Sequence, residues 1–76
     1  MSARVIMRHA HVCGGAACIA GTRLPVWILR ALWREGVSDE QILRAYPSLD
    51  SEKLTAAKQY AALNVRIVDR DEEASS

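Results

Sequence analysis

Residues 38–54 read SDEQILRAYPSLDSEKL, and this stretch decides the fold because it holds two helix start signals with a stop signal between them. Ser38 can cap a helix that begins at Asp39, and Gln41 stands at the position that completes a capping box. Val37 and Ile42 flank this start with the spacing of a hydrophobic staple. The second helix of the chain is therefore predicted to begin at Asp39.

Pro47 ends this helix, because a proline cannot donate a backbone hydrogen bond and moves the preceding residue out of helical geometry. Asp50 then caps a third helix, and Leu49 and Leu54 form its hydrophobic staple. Apolar side chains recur on one face of this helix through about residue 64. A short turn thus joins two helices, which is the layout of a helix-turn-helix unit.

A helix-turn-helix unit reads DNA with the outward side chains of its second helix. In this chain those side chains include Lys53, Thr55, Lys58 and Gln59. Glu52 in the first turn would repel phosphate, and small helical bundles that bind nothing share the same layout. Direct DNA contact and a purely structural helix therefore both stay open.

Upstream of this unit, a nearly apolar segment predicts the first helix. Pro25 suits its first turn, because the missing N–H costs nothing there, and Gly36 ends the helix as a left-handed cap. Trp27, Arg30 and Arg34 fall on a separate stripe at spacing i, i+3, i+7. Either the tryptophan is core and the arginines are solvated, or the three form a partner contact, since Trp and Arg dominate interface hot spots.

Two β-prone segments frame the helices. Residues 4–7 are typical of a strand, residues 11–22 of a glycine-containing loop, and residues 65–68 of a second strand, which can pair with the first in the same chain or in a second copy. Unpaired strand edges and an over-apolar first helix together predict a homodimer. The predicted fold is mainly α: a three-helix, helix-turn-helix-like domain with a short N-terminal strand and a C-terminal strand.

The composition excludes several classes of protein. The chain has 76 residues, of which half are apolar, so it forms one small domain without room for a deep substrate cavity. It holds neither an apolar stretch long enough to cross a bilayer nor a signal-peptide core. We therefore expect a cytoplasmic protein without membrane contact, whose two cysteines stay reduced.

The net charge of +1 hides an asymmetry between the two halves of the chain. Residues 1–34 carry five arginines and no acidic residue, whereas residues 35–76 carry five basic and nine acidic residues. A basic half with two tryptophans suggests an anionic partner, either nucleic acid or an acidic protein face, and Arg23 of this half joins the DNA-binding candidates. The alternative is a solvated surface, because sign asymmetry alone is a weak signal.

Four potential metal ligands lie within ten residues: His9, His11, Cys13 and Cys18. Zinc sites usually place paired cysteines close together with a second pair at a distance, and this cluster lacks that spacing. No third group is identifiable that would orient a histidine against Cys13 for nucleophilic catalysis. We therefore expect no metal, no cofactor and no enzyme activity.

The C-terminal segment, residues 65–76, joins the β-branched run to an acidic end. We expect residues 69–76 to be disordered, and residues 65–76 either to solubilise a domain formed by residues 1–64 or to contact a partner. In the second case Ile67 and Val68 anchor the contact. Asp69 and Asp71 then occupy a basic channel of that partner by mimicking phosphate charge.

One motif carries a specific resemblance to a known family. Residues 12–26 read VCGGAACIAGTRLPV, which resembles the opening signature of the small prokaryotic family known as domain of unknown function 433. The resemblance runs through residues 35–38 and 42–47 to the Ala-rich third helix and covers roughly residues 4–63. Ala16 and Ala17 replace the Lys-Pro pair that the family carries before the cysteine, which removes a base from this loop.

This resemblance implies an antitoxin. Members of the family look like helix-turn-helix-type proteins, often encoded beside a toxin that resembles a PIN-type ribonuclease. The implied function is that of an antitoxin of a type II toxin–antitoxin pair, which binds and neutralises the ribonuclease and, as a dimer, binds operator DNA. The alternative is a stand-alone DNA-binding transcriptional regulator without a toxin partner.

Overall fold

The computed structural model describes residues 6–9, 12–22 and 24–75. In these residues an antiparallel sheet of three strands precedes four helices. The strands are β1 (Ile6–His9), β2 (Val12–Ile19) and β3 (Leu24–Pro25), and the helices are α1 (Val26–Arg34), α2 (Asp39–Ala45), α3 (Ser51–Leu63) and α4 (Val65–Ser75). The mainly helical class is confirmed, although the sequence predicts only three helices and a single N-terminal strand.

β2 is the central strand of the sheet, with β1 and β3 paired to it in antiparallel fashion. Ile6 pairs with Ile19 and Arg8 pairs with Ala17. Two predictions are wrong here: residues 12–19 form a strand instead of a loop, and β1 pairs with β2 instead of with residues 65–68. The physical reason is a run of small buried residues on β2, which lets helices pack closely on the strand: Ala16, Ala17 and Cys18.

Local capping signals position the first three helices where the sequence predicts them. Pro25 is the N-cap of α1, and Gly36 follows the end of α1 with a φ of 88°. Ser38 and Gln41 form the predicted capping box of α2, with Gln41 N 3.2 Å from Ser38 Oγ. Asp50 caps α3 by accepting a backbone N–H of the first turn at 2.8 Å. The helix-turn-helix layout of α2 and α3 therefore follows from short-range signals.

The C-terminal segment differs most from the prediction. Both the strand predicted at residues 65–68 and the disorder predicted from residue 69 onward are wrong, because α4 runs from Val65 to Ser75. Asn64 alone separates α4 from α3, and its side-chain amide donates to Tyr60 O at 3.0 Å. Val68 and Asp71, one turn apart, are both buried. Burial of this face against the rest of the chain outweighs the β propensity of the first residues.

The core has two parts. One lies between α1, α2, α3 and the sheet and contains the buried side chains of Ile19, Leu29, Ile42, Leu49, Leu54 and Ala57. The other lies beneath α4 and contains Ala17, Val26, Ala61 and Val68. Helix α1 packs against β2, β3, α3 and α4, which bury Val26 and Leu29 completely and the other large apolar side chains of α1 in part. Contacts within one chain therefore account for part of the apolar character of α1, and the predicted homodimer stays a prediction.

Within the described ranges, no helix is both long enough and apolar enough to cross a lipid bilayer.

Candidate interaction surfaces

The outward face of α3 carries the side chains predicted to read DNA. Thr55, Lys58 and Gln59 are exposed there, and Lys53 is half-buried. A shallow groove on this face is lined by Ser51, Glu52, Thr55, Ala56 and Gln59. The structure thus brings four of the five DNA-binding candidates onto one helix. Arg23, the fifth, lies outside the described residues.

Lys58 is engaged by two residues of the neighbouring helices. Its Nζ donates to Asp39 Oδ2 at 2.5 Å and lies 5.4 Å from the centre of the Trp33 ring, within cation–π range. Trp33 Nε1 donates to the other carboxylate oxygen of Asp39 at 2.7 Å. The hydrogen bond from Lys58 is the main cause of a lowered pKa of Asp39, and the bond from Trp33 adds to it.

Lys53 is likewise paired with an acidic residue. Its Nζ donates to Asp50 Oδ2 at 3.1 Å, and its backbone N–H donates to Asp50 Oδ1. These bonds, the backbone one first, lower the pKa of Asp50. Residues 39–63 carry four acidic and three basic side chains. The surface of α2 and α3 is therefore not basic, and long-range attraction of phosphate has little source there.

The stripe predicted on α1 and the acidic segment predicted as a free tail lie against each other. Arg30 donates to Asp69, and Arg34 Nη1 lies 3.7 Å from Glu72 Oε1. The flexibility predicted for this acidic segment is therefore wrong for residues 69–75, because they form an ordered helix and two of their carboxylates pair with arginines of α1. The predicted contact of this segment with a partner stays a prediction. The basic and acidic parts of the chain are complementary, and they pair within it.

Asp71 ties α4 to the β1–β2 hairpin. It is only 9% exposed, and its carboxylate accepts two hydrogen bonds from Arg8, at 2.8 and 3.2 Å, and one from Ala17 N at 3.2 Å. Arg8 also donates to Gly15 O at 2.7 Å. The bonds to Asp71, and a weaker one to Tyr60, raise the pKa of Arg8. The sequence does not single out Arg8, because its partner Asp71 lies 63 positions away along the chain.

Two further partner-binding candidates are part of the interior. Val68 has no exposed surface, and Trp27 packs half-buried beside it in the core beneath α4. The Nε1 atom of Trp27 is buried and has no hydrogen-bond partner among the described residues. Both side chains therefore contribute to the folded core. Val68 has no surface left for a partner, whereas Trp27 keeps an exposed part.

The junction of α3 and α4 exposes the large apolar side chains of the described structure. Leu63 is 83% exposed, Val65 43% and Ile67 40%, and we call these three residues the junction patch. A shallow groove at this place is lined by residues 62–67. Sequence reasoning selected Ile67 and missed Leu63. The missed signal was its helical position, because Leu63 lies on the face of α3 opposite the buried Ala61 and Leu54.

The cluster of potential metal ligands is only partly described. Cys18 is buried in β2. The side chains of His9 and Cys13, and residue His11 as a whole, lie outside what the structure describes. Among the residues that are described, no group of three or more His, Cys, Asp or Glu side chains is placed to hold a metal ion.

Comparisons with known proteins identify the family to which this chain belongs. A family model described as "Protein of unknown function (DUF433)" matches residues 6–61, which leaves α4 beyond the matched segment. Over 60 residues the chain is 38% identical to the uncharacterized protein y4eO of Sinorhizobium fredii; the match covers 79% of this chain and 27% of that protein. The chain thus spans about a quarter of the length of this relative. A crystal structure of a DUF433 member from Anabaena variabilis is similar with a TM-score of 0.85 and 41% identity, over 93% of this chain and 70% of that one.

Proposed function

We propose that this chain, which belongs to the DUF433 family, is the antitoxin of a type II toxin–antitoxin pair and neutralises a PIN-like ribonuclease by binding it. The observation that carries the proposal is the junction patch. Exposed apolar side chains that cluster on a small domain mark a contact with another protein, because their exposure to water is unfavourable. The proposed activity is binding without catalysis, and the proposed compartment is the cytoplasm.

The junction patch suits a protein partner for a structural reason. Leu63 is more than four-fifths exposed although it ends a helix whose other leucine is buried. Asn64 and the start of α4 hold Val65 beside it, so the patch is presented by backbone of fixed geometry. Ile67 is the member of the predicted partner-binding set that remains exposed and apolar.

The test begins with the open reading frame beside this gene, which the proposal expects to encode a PIN-like ribonuclease, and then co-expresses the two proteins. The wild-type chain should co-purify with the ribonuclease and abolish RNA cleavage at equal molar amounts. Leu63→Asp should release the ribonuclease activity, because it places a charge in the apolar contact. Ser48→Asp is the matched control, since it adds the same charge at an exposed position before the other end of α3. Neutralisation that survives Leu63→Asp unchanged would contradict the junction patch as the contact.

A second candidate function is operator binding as a homodimer, with or without a toxin partner. It is favoured by one observation: Thr55 and Gln59 are exposed beside a groove on the second helix of a helix-turn-helix layout. Such modules commonly read two half-sites as symmetric dimers. We infer that Thr55 and Gln59 supply short-range hydrogen bonds to the bases, and that phosphate replaces the partly exposed carboxylates that pair with Lys53 and Lys58 in the free chain.

Fluorescence anisotropy with DNA from upstream of the gene tests this second function. Lys53→Ala with Lys58→Ala should weaken binding and flatten the salt dependence by about one unit of slope per lost phosphate contact. Thr55→Ala with Gln59→Ala should weaken binding without changing that slope. A wild-type chain that binds upstream and random DNA equally would remove the operator function and leave the antitoxin proposal intact.

A further inference from the structure

We propose that the junction patch receives an acidic, apolar segment of a partner protein, and that Arg66 and Arg70 recognise its carboxylates. This inference rests on the proposed function only for the identity of that partner, a PIN-like ribonuclease. Its evidence is the distribution of charge on α4, whose sequence is acidic and whose outward face is not.

Helix α4 contains four acidic residues, and three of them are used within the chain. Asp69, Asp71 and Glu72 lie in ion pairs with arginines of α1 and β1. The two arginines of α4, Arg66 and Arg70, are exposed and have no ion pair in the part of the chain that the structure describes. The side of α4 that faces a partner therefore carries unpaired positive charge, although residues 65–75 have a net negative charge.

This positive charge is concentrated at the junction patch. Arg66 lines the same groove as the three patch residues, and Arg70 follows one turn later on the helix. The first turn of α4 contains no acidic side chain that would offset the charge of Arg66. The remaining exposed acid, Glu73, lies three residues after Arg70 and seven after Arg66, on the same stripe of α4. It offsets part of the charge of Arg70, whereas Arg66 lies about 10 Å from it along the helix. The outward stripe therefore keeps a positive charge that is concentrated at Arg66.

The apolar part of the patch decides which class of anion fits. Nucleic acid offers phosphate to the arginines but gains little from contact with Leu63, Val65 and Ile67, which are aliphatic and exposed. A second copy of this chain, docked by the same patch about a twofold axis, would bring two positively charged ends together. A protein segment with both apolar and acidic side chains complements the two properties at once.

The experiment compares single charge reversals in the full chain. Arg66→Glu and Arg70→Glu should each weaken binding of the PIN-like ribonuclease, measured by calorimetry, by about tenfold or more. Arg66→Lys should retain most of the affinity. Arg44→Glu is the matched control, since Arg44 is also exposed and has no ion pair among the described residues, but lies on α2; it should change the affinity less than about twofold. Circular dichroism checks that each variant is folded.

A second arm uses a probe that does not depend on the toxin. The probe is a synthetic amphipathic helical peptide with leucine on one face and glutamate on the other. It should shift the amide resonances of residues 62–67, and the same peptide with lysine in place of glutamate should not. If the ribonuclease does not bind at all, the proposed function fails, and the peptide arm still decides this inference.

Three outcomes would overturn the inference. In the first, Leu63→Asp abolishes ribonuclease binding while Arg66→Glu and Arg70→Glu leave it unchanged, so that the contact is apolar only and the proposed function stands. In the second, light scattering shows a dimer that Leu63→Asp separates, and neither peptide binds, so that a second copy is the occupant. In the third, the arginine reversals weaken DNA binding and have no effect on the peptide or the ribonuclease.

Discussion

Asp71 is an acidic side chain inside a small protein, and its surroundings explain why it is stable there. Three hydrogen bonds, two from a guanidinium and one from a backbone N–H, replace the water that the carboxylate loses on folding. Asp69, two residues earlier, makes a comparable pair with an arginine but is about half exposed. A comparison of substitutions at Asp71 and Asp69 therefore separates the effect of burying a carboxylate from the effect of pairing it with an arginine.

We predict that Asp71→Ala lowers the free energy of unfolding by about 1–3 kcal/mol, because it leaves Arg8 and Ala17 N without their acceptor. The lower end applies if Arg8, whose side chain is 43% exposed, regains water. Asp69→Ala is the control on the same helix and should cost no more than about 1 kcal/mol. Urea denaturation followed by circular dichroism gives both values. Equal losses for the two variants would mean that burial of Asp71 contributes nothing.

Contacts of single residues also determine how the free energy of unfolding depends on pH. The folded chain lowers the pKa of Asp39 and of Asp50, so both carboxylates bind protons less readily when folded than when unfolded. Their contribution is complete above the ordinary aspartate pKa of about 3.9 and is lost as the pH falls through the lowered values. The free energy of unfolding should therefore fall with decreasing pH below about 4. Asp39→Asn should flatten this slope. Glu40→Gln should preserve it, because Glu40 is an exposed neighbour on α2 that has no ion pair with the residues that the structure describes.

At the scale of elements, the sequence predicts those helices whose ends are fixed by contacts between residues close together in the chain. The starts of α2 and α3 were predictable because Ser38, Gln41 and Asp50 bond to backbone within three residues. α4 was not predictable in this way, because its helical form depends on contacts with residues more than fifty positions away. The candidate surfaces divide similarly: the outward side chains of α3 follow from helical spacing, whereas the pairing of the α1 arginines with α4 is tertiary.

Two valines of α4 test how far its packing stabilises the fold. Val68→Ala should lower the free energy of unfolding by about 1.5–3 kcal/mol, because Val68 is completely buried and nothing fills the space it leaves. Val65→Ala makes the same change on the same helix at an exposed position and should cost less than about 1 kcal/mol. Denaturation in urea compares them. If Val68→Ala proved as mild as Val65→Ala, α4 would not be docked in solution.

At the scale of the whole molecule, the net charge of +1 conceals strong internal attraction. Among the described residues, three ion pairs connect α4 to the basic N-terminal half: Arg8–Asp71, Arg30–Asp69 and Arg34–Glu72. Because two of the three are substantially exposed, dissolved salt screens them. We expect the free energy of unfolding to fall by about 0.5–1 kcal/mol between 0.02 and 0.5 M NaCl. The variant with Asp69→Ala and Glu72→Ala should lose most of this dependence, and a wild-type stability independent of salt would contradict the prediction.

The contact between Arg8 and Asp71 has a consequence for biosynthesis, because 63 positions separate the two residues. The hairpin of β1 and β2 leaves the ribosome first, and its cation cannot meet its carboxylate until residue 71 has been translated and has cleared the exit tunnel. During that interval the surface of α1 and β2 that α4 later covers is open to water and to chaperones. The α2–α3 unit, whose contacts are local, can form earlier. Docking of α4 therefore follows the release of residue 71, and the order of synthesis places this contact after the emergence of the hairpin.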